Sequence, residues 1–591
     1  MSTPRDEVHP DRVGWRPGGA LLPAAPLTTA ANLAGALVDR ARREPFAVAY
    51  HLPEERPGDD RLTVGDLYWR ANVAGAALSG AGVRRGDRIC VCLDTSAVLL
   101  ATLFGAALIG AVPTLVEPPL TAGRKKLWLD RVRHIVAAAE PAALVCAAEL
   151  RPAAEELFRD SGITVLCPPY PDGGYVAEPV LDTDPEEPTL IQFSSGTTSA
   201  AKGVVLSHRG LLAAAGSIGQ GGPFRVGDVM LSWLPLHHDM GMVGGTLTPF
   251  LLDLSSVLVP PLSFAMQPEL WLRLIHRYRA TISPAPNFAY RLVASRAAKM
   301  DLDGLDLRSW RTAFNGAEVV DASTVRAFQR ALARYGFRPE AMRPCYGMAE
   351  LGLAATFAPE GTLPRIEALS RGEMLEHGRA VAADSEWDAH EYVSSGREVP
   401  GVKIRVVDTE GFDLPDGWAG RVLVASDSMM SGYYGLPERT EEDLRDGWLN
   451  TGDLGFIMDG ELFVTGREKD LIIIAGRNYQ PQPFEIAAGT VPGVRGGGVA
   501  AVGLQDAERG TEHLVLVVET NQFGDAGAAD ALRAGVEQAV SELAGVRPNE
   551  VIIVAPGTVP KTPSGKLQRP LLVKMLALGA IGRAAPAAAA G

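Results

Sequence analysis

Residues 189–208 read TLIQFSSGTTSAAKGVVLSH. An apolar run ends at Phe193, then come Ser194, Ser195, Gly196, Thr197 and Thr198, and Lys202 precedes a second strand-like run. Serine, threonine and glycine favour a turn whose backbone N–H groups point the same way. Such a nest binds anions, and Lys202 adds a point charge. A solvated connection between two strands has the same composition, so this stretch alone leaves both readings open.

The familiar P-loop, G-x-x-x-x-G-K-[ST], is excluded. Lys202 follows Ala201 and precedes Gly203, and in the second candidate, PSGKL at 563–567, Leu567 stands where a magnesium-binding hydroxyl belongs. If phosphates are bound, a different architecture binds them.

A chain of 591 residues is too long for one core, so two or more domains are expected. Hydrophobic residues at 47% and charged residues at 21% match a soluble globular protein. The net charge of −14 argues against a nucleic-acid partner, which requires a basic face, while leaving room for one local basic site for ATP. The five cysteines are few and mostly in apolar settings. Cys90 and Cys92 fall two apart in the strand-like RICVCL, so they share one face and read as core rather than metal ligands. A reducing cytoplasm fits this usage. The opening residues MSTPRDEVHPDR lack the apolar region of a signal peptide. Residues 96–116 carry no charge and approach the length of a membrane span, but Gly110 and Pro113 break the run and Asp94 and Glu117 bracket it. A buried helix followed by a buried strand is expected there, with no membrane span.

Farther out, RICVCL, AALVCA, ITVLC, TLIQF, VMLSWLP and SVLVP alternate with helical patterns such as TSAVLLATLFGAALIG and LWLDRVRHIVAAAE. That rhythm predicts an α/β fold with layered sheets and largely parallel strands. After about residue 395, VKIRVVD, RVLVAS and ELFVTG are separated by tight turns, which predicts hairpins. A charged turn, GREKD at 466–470, suggests a boundary: a large N-terminal α/β domain over 1–468 and a small α+β domain over 469–580. The tail at 581–591 is low in complexity and expected to be disordered.

Seven separated motifs now stand in order: SSGTTSAAKG, LPLHHDMG (234–241), FNGAE (314–318), CYGMAE (345–350), LNTGDLG (449–455), GREKD and PKTPSGK (560–566). Together they resemble the adenylate-forming superfamily of acyl-CoA synthetases, adenylation domains and luciferases, over nearly the whole chain. LPLHHDMGMVGG, PNFAY (286–290), FNGAE, YGMAE and GREKDLIIIAGRNYQPQ are most similar to the fatty acyl-AMP ligases, as is the long segment between Glu350 and Ser394. The resemblance is incomplete. Ser199 and Ala201 stand where the phosphate loop usually has glycine and proline, and Tyr479-Gln480 replace His-Tyr.

The resemblance implies ATP-dependent activation of a carboxylic, in first place fatty, acid to acyl-AMP with release of pyrophosphate. It further implies transfer to the phosphopantetheine arm of an acyl carrier protein. An anion then meets a polyanion, so the protein's task is to offset charge and align the reactants. By the same resemblance, Ser194 to Thr198 and Lys202 hold phosphates, and Glu350 holds Mg²⁺ through hard oxygen. Asn315, Gly316 and Ala317 line the adenine, Tyr346 of Tyr346-Gly347-Met348 stacks on it, and Asp453 takes the ribose hydroxyls with Arg467 nearby. Lys566 is the catalytic lysine at the α-phosphate, Lys469 the hinge, and His238 lines the carboxylate region, although a lone histidine is as often structural. No His/Cys metal cluster is expected.

Residues 360–392 are expected to be an insertion, with Leu363, Ile366, Leu369 and Leu375 anchoring a short helix on the large domain. There it would obstruct the pose needed for CoA. An acyl-CoA synthetase, a non-catalytic nucleotide-binding regulator and an activator of an unusual small acid are the competing readings.

Overall fold

The computed structural model describes residues 30–54, 60–119, 125–170, 177–193, 202–474, 477–506, 511–561 and 566–581. Ser194, Ser195, Gly196, Thr197 and Thr198, with Ser199 and Ala201, lie outside the described residues, as do the opening segment and 582–591.

The strand-like runs are strands. Val112–Leu115, Arg88–Cys92, Ala143–Cys146 and Thr164–Leu166 form a sheet in that order, parallel throughout. Alternation along Arg88–Cys92 sorts its side chains: Ile89 and Val91 face one core, while Cys90 and Cys92 face another with Val132, Val136 and Cys146. A sheet covered on both faces is what a fully apolar strand requires. The uncharged run at 96–116 is helix Ala97–Leu108, with Ser96 as its N-cap, followed by strand Val112–Leu115, and it is almost wholly buried. Among the described residues no helix is long and apolar enough to cross a membrane.

The largest sheet has nine strands, in the order Arg397–Glu398, Ala354–Phe357, Met342–Gly347, Thr312–Gly316, Ile282–Pro286, Val229–Ser232, Ser255–Leu258, Val48–His51 and Arg61–Thr63. The strands from Met342–Gly347 to Val48–His51 are mutually parallel, and the edge strands are antiparallel. One face is filled by an aromatic cluster in which Trp271 and Trp310 meet edge-to-face at 5.1 Å, with Tyr290 and Phe328 beside them. TLIQF does not join this sheet. It forms strand Pro188–Phe193, antiparallel to Gly203–Ser207, which in turn pairs with Gly432–Tyr433. After residue 395 the expected hairpins are found: Val402–Val407, Gly420–Ser426, Trp448–Met458 and Glu461–Arg467 pair antiparallel.

The insertion is more structured than a short helix. Strands Ile366–Ser370 and Ala389–Val393 pair antiparallel and flank helix Arg371–His377. Its anchors also differ from expectation. Leu369 is buried against Phe456 and Phe463, and Ile366 packs at the aromatic core, but Leu363 is 60% exposed and Leu375 is only half-buried. Leu363 precedes the first strand, so no pairing carries it inward. A bidentate Arg326–Glu391 ion pair, both contacts at 2.5 Å, ties the second strand to helix Ala322–Leu332 instead.

Beyond the turn Glu468–Asp470 the apolar residues form cores of their own. Val494–Asp506, Thr511–Thr520 and Glu550–Val554 make a mixed sheet with helices Pro481–Gly489, Ala526–Ala544 and Arg569–Ala577. The molecule is therefore α/β, with a large layered N-terminal part and a smaller C-terminal α+β part.

Candidate active site

Parallel strands of the large sheet end together, and the crevice outside their carboxyl ends is where open α/β sheets bind ligands. Thr312–Gly316 ends at Asn315-Gly316-Ala317, and Met342–Gly347 ends at Tyr346-Gly347-Met348. Glycine is needed at both ends. A Cβ on Gly316 would lie 2.7 Å from Cys345 Sγ, and one on Gly347 would lie 1.9 Å from the Leu353 carbonyl oxygen. Ala317 has φ of +66°, a left-handed conformation that alanine adopts only where its surroundings enforce it. Asn315 is placed here by its backbone. Its side chain is fully buried and donates to Asn287 Oδ1 at 3.2 Å.

Asp453 and Arg467 are cross-strand partners of the pair Trp448–Met458 and Glu461–Arg467. Arg467 Nε donates to Asp453 Oδ1 at 3.0 Å, and the Tyr346 hydroxyl donates to Asp453 Oδ2 at 2.6 Å. Each carboxylate oxygen keeps acceptor capacity for a second donor. Burial, reinforced by the Asp453 charge, holds the Tyr346 phenol far above its usual range, so it stays a donor.

Glu350 lies on the turn Ala349–Leu351, two residues after Met348. It accepts a hydrogen bond from the Tyr433 hydroxyl at 3.0 Å. Burial raises its pKa and the Asp239 charge adds to this, while Tyr433 and Lys202 oppose it. Lys202 directly precedes strand Gly203–Ser207. Its ammonium pairs with Asp443 Oδ2 at 2.8 Å and lies 4.4 Å from the Tyr433 ring centroid.

The rings of His237 and His238 lie 4.7 Å apart, tilted to one another, just before an eight-residue π-helix, Met240–Leu247, which is entirely buried. Such helices are rare and recur at functional sites. Asp239 caps it, accepting from the Met240 amide at 2.8 Å. Burial raises the pKa of Asp239, and the Lys566 charge opposes the rise. Glu318, which accepts from the Phe288 amide at 2.5 Å, is raised by burial in the same way and also feels Lys566. Lys566 of the C-terminal part thus acts electrostatically on two carboxylates of the large part. Lys469 lies exposed on the turn Glu468–Asp470.

Lys202, Glu350, Tyr346, Asp453, Arg467 and Lys566 are accordingly linked: Arg467 and Tyr346 hold Asp453, Arg467 and Lys202 lie within electrostatic reach of Glu350, and Asp239, next to His238 in the chain, feels both Glu350 and Lys566. Sequence reasoning left Asp239, Glu318, Tyr433 and Asp443 without roles. The first two stood inside the quoted HHDMG and FNGAE, but spacing says nothing of burial. Glu350 with Asp239 suits a hard cation, because two carboxylates in mutual repulsion and low solvation gain from a shared positive charge. Among the described residues no cluster of three or more His, Cys, Asp or Glu could hold a metal.

The chain matches the profile of the AMP-binding enzyme family over residues 37–434, and it belongs to that family. It is a ligase, as its relatives are named. It is 34% identical to a putative acyl-CoA synthetase of Caulobacter vibrioides (strain NA1000 / CB15N), over 86% of this chain and 89% of that one. It is 31% identical to the medium-chain-fatty-acid–[acyl-carrier-protein] ligase JamA of Moorena producens (strain JHB), over 82% of this chain and 85% of that one. A solved structure from studies of fatty acyl-adenylate ligases of E. coli and L. pneumophila has a TM-score of 0.85 at 31% identity, covering 93% of this chain and 98% of that one.

Proposed function

We propose that the protein is a fatty acyl-AMP ligase. It joins a carboxylic acid, in first place a fatty acid, to ATP and then delivers the acyl group to the phosphopantetheine thiol of a carrier protein. The observation that carries this reading is the linkage of Lys202, Glu350, Asp453 and Lys566, from four separate sequence motifs, through hydrogen bonds and close charges that run by way of Arg467 and Asp239.

In the first half-reaction a carboxylate oxygen attacks the α-phosphorus, the bond to the β-phosphate breaks and pyrophosphate leaves. No protein nucleophile is required. Asp453 accepts from the ribose hydroxyls while Arg467 and Tyr346 hold its carboxylate in place. The strand ends at 315–317 and 346–348 line the adenine. Ser194 to Thr198 and Lys202 receive the β- and γ-phosphates. Lys566 offsets the charge growing between carboxylate and α-phosphate, which is the largest kind of contribution open to such a site. His238 borders the carboxylate. Glu350 would hold Mg²⁺ with Asp239 close by, and the ion would supply charge neutralisation for the triphosphate. Residues 469–580 serve as the mobile small domain, turning about Lys469 between half-reactions, in a cytoplasm that supplies ATP.

The 34%-identical relative named a putative acyl-CoA synthetase favours CoA as a second candidate acceptor. The insertion favours the carrier. Its Glu376 pairs with Arg477 of the small domain at 3.1 Å, so rotation must break that contact. A carrier protein adds surface contacts that free CoA lacks. With ATP, Mg²⁺ and the best acid of a panel, phosphopantetheinylated carrier should be acylated rapidly and CoA hardly at all. Efficient acyl-CoA formation by the intact protein would replace this reading with the synthetase one.

A further inference from the structure

Two groups assigned above to the triphosphate, Lys202 and Glu350, do not touch each other. One side chain touches both. Tyr433 is only 6% exposed, donates its hydroxyl to Glu350 Oε1 at 3.0 Å, and presents its ring to Lys202 Nζ at 4.4 Å. We propose that Tyr433 is a positioning residue of the adenylation site, fixing the Lys202 ammonium and the Glu350 carboxylate relative to each other. This rests on the ligase reading given above.

The backbone supports this role. Tyr433 pairs with Val204 and Gly432 with Val205, and the Tyr434 amide donates to the Gly203 carbonyl at 2.7 Å. The ring is thus fastened to the strand that begins one residue after Lys202. On the other side, the Met430 amide donates to the Glu350 carbonyl at 2.7 Å. Residues 430–434 therefore tie the strand behind Lys202 to the turn carrying Glu350. The Tyr433 amide is held in turn by Thr440 Oγ1 at 2.9 Å.

Charge makes the arrangement specific. The Lys202 ammonium donates to Asp443 Oδ2, and Asp443 is itself gripped by Arg439 at 2.8 and 2.6 Å. Asp443 is therefore already partly neutralised, and an ammonium has two further donors to offer an anion. The ring face attracts the cation without taking up a donor.

Two substitutions separate the two contacts. Tyr433→Phe keeps the ring over Lys202 and removes only the hydroxyl. Tyr433→Leu removes the ring face as well. Three readouts apply: pyrophosphate release against Mg²⁺ concentration, ATP affinity by calorimetry in EDTA, and the thermal midpoint. For Tyr433→Phe, the Mg²⁺ needed for half-maximal rate should rise by about tenfold, as for loss of a hydrogen bond to a charged group. Its ATP affinity in EDTA should stay within about twofold of wild type. Tyr433→Leu should weaken ATP in EDTA by about threefold or more, from loss of the cation–π contact. Both should remain folded, with Tyr433→Phe melting close to wild type. The proposal is overturned if Tyr433→Phe leaves the Mg²⁺ requirement unchanged, or if Tyr433→Leu binds ATP as wild type does. A wild-type protein that releases no pyrophosphate with any acid would sink the ligase reading. The ATP titration would still judge the Lys202 contact.

Discussion

Tyr346 and Asp453, 107 positions apart in the chain, are joined by a hydrogen bond of 2.6 Å, and Arg467 completes the grip on the same carboxylate from the adjacent strand. The carboxylate is thereby held still before any nucleotide arrives. Asp453→Asn should weaken ATP binding by about tenfold, since a charged acceptor is lost. Tyr346→Phe, which leaves Asp453 charged and held by Arg467, should cost less. Calorimetric titration with ATP checks the order, and equal affinities for the two variants would contradict it.

The two lysines should separate by the step they affect. Lys566→Ala should reduce pyrophosphate release by on the order of 10²–10³ while ATP binding changes little, because the group acts in the transition state. Lys202→Ala should instead raise the ATP concentration required. Equal, modest losses from both would refute distinct roles.

The insertion offers a test of acceptor choice. Removing residues 371–388 and closing the paired strands with a short turn should raise CoA-dependent product while acyl-AMP formation persists. Glu376→Arg should move the same way with little change in melting, because the Glu376–Arg477 pair is exposed and such pairs contribute little stability. Leu369→Ala, by contrast, should destabilise by about 2–5 kcal/mol as a buried core truncation. Unchanged acyl-CoA yield in the deletion would remove the insertion from the account of acceptor choice.

His390 supplies a pH test of the same segment. Burial, helped by Arg371 and opposed by Asp321 and Glu391, lowers its pKa from 6.5 to about 4. Between those values the unfolded chain binds the extra proton, so stability from this group is present above pH 6.5 and is lost as pH falls toward about 4. Thermal midpoints of His390→Gln should fall less steeply than wild type across that window. Parallel curves would assign the acid sensitivity elsewhere.

Local patterns carried much of this fold. Apolar runs such as RICVC and TLIQF are strands because their residues are apolar, β-prone and bounded by turns; FNGAE, CYGMAE and GREKD lie at the ends of such strands, whereas LNTGDLG lies within strand Trp448–Met458. What escaped is non-local or unusual. Lys202 meets Asp443 across 241 positions, a pairing that no spacing announces. The π-helix Met240–Leu247 has no local signature, although Gly241 within it is required, since a Cβ there would meet the Pro235 carbonyl oxygen at 2.2 Å. In the insertion, hydrophobicity alone made Leu363 an anchor. Burial there is decided by strand pairing, which begins at Ile366, and by the Arg326–Glu391 ion pair.

The most direct measurement identifies the products formed from ATP when a panel of carboxylic acids is offered with Mg²⁺ and no acceptor. The expected result is acyl-AMP bound to the protein, with one pyrophosphate released for each acyl-AMP formed. ADP and inorganic phosphate in their place would contradict adenylation and with it the whole assignment.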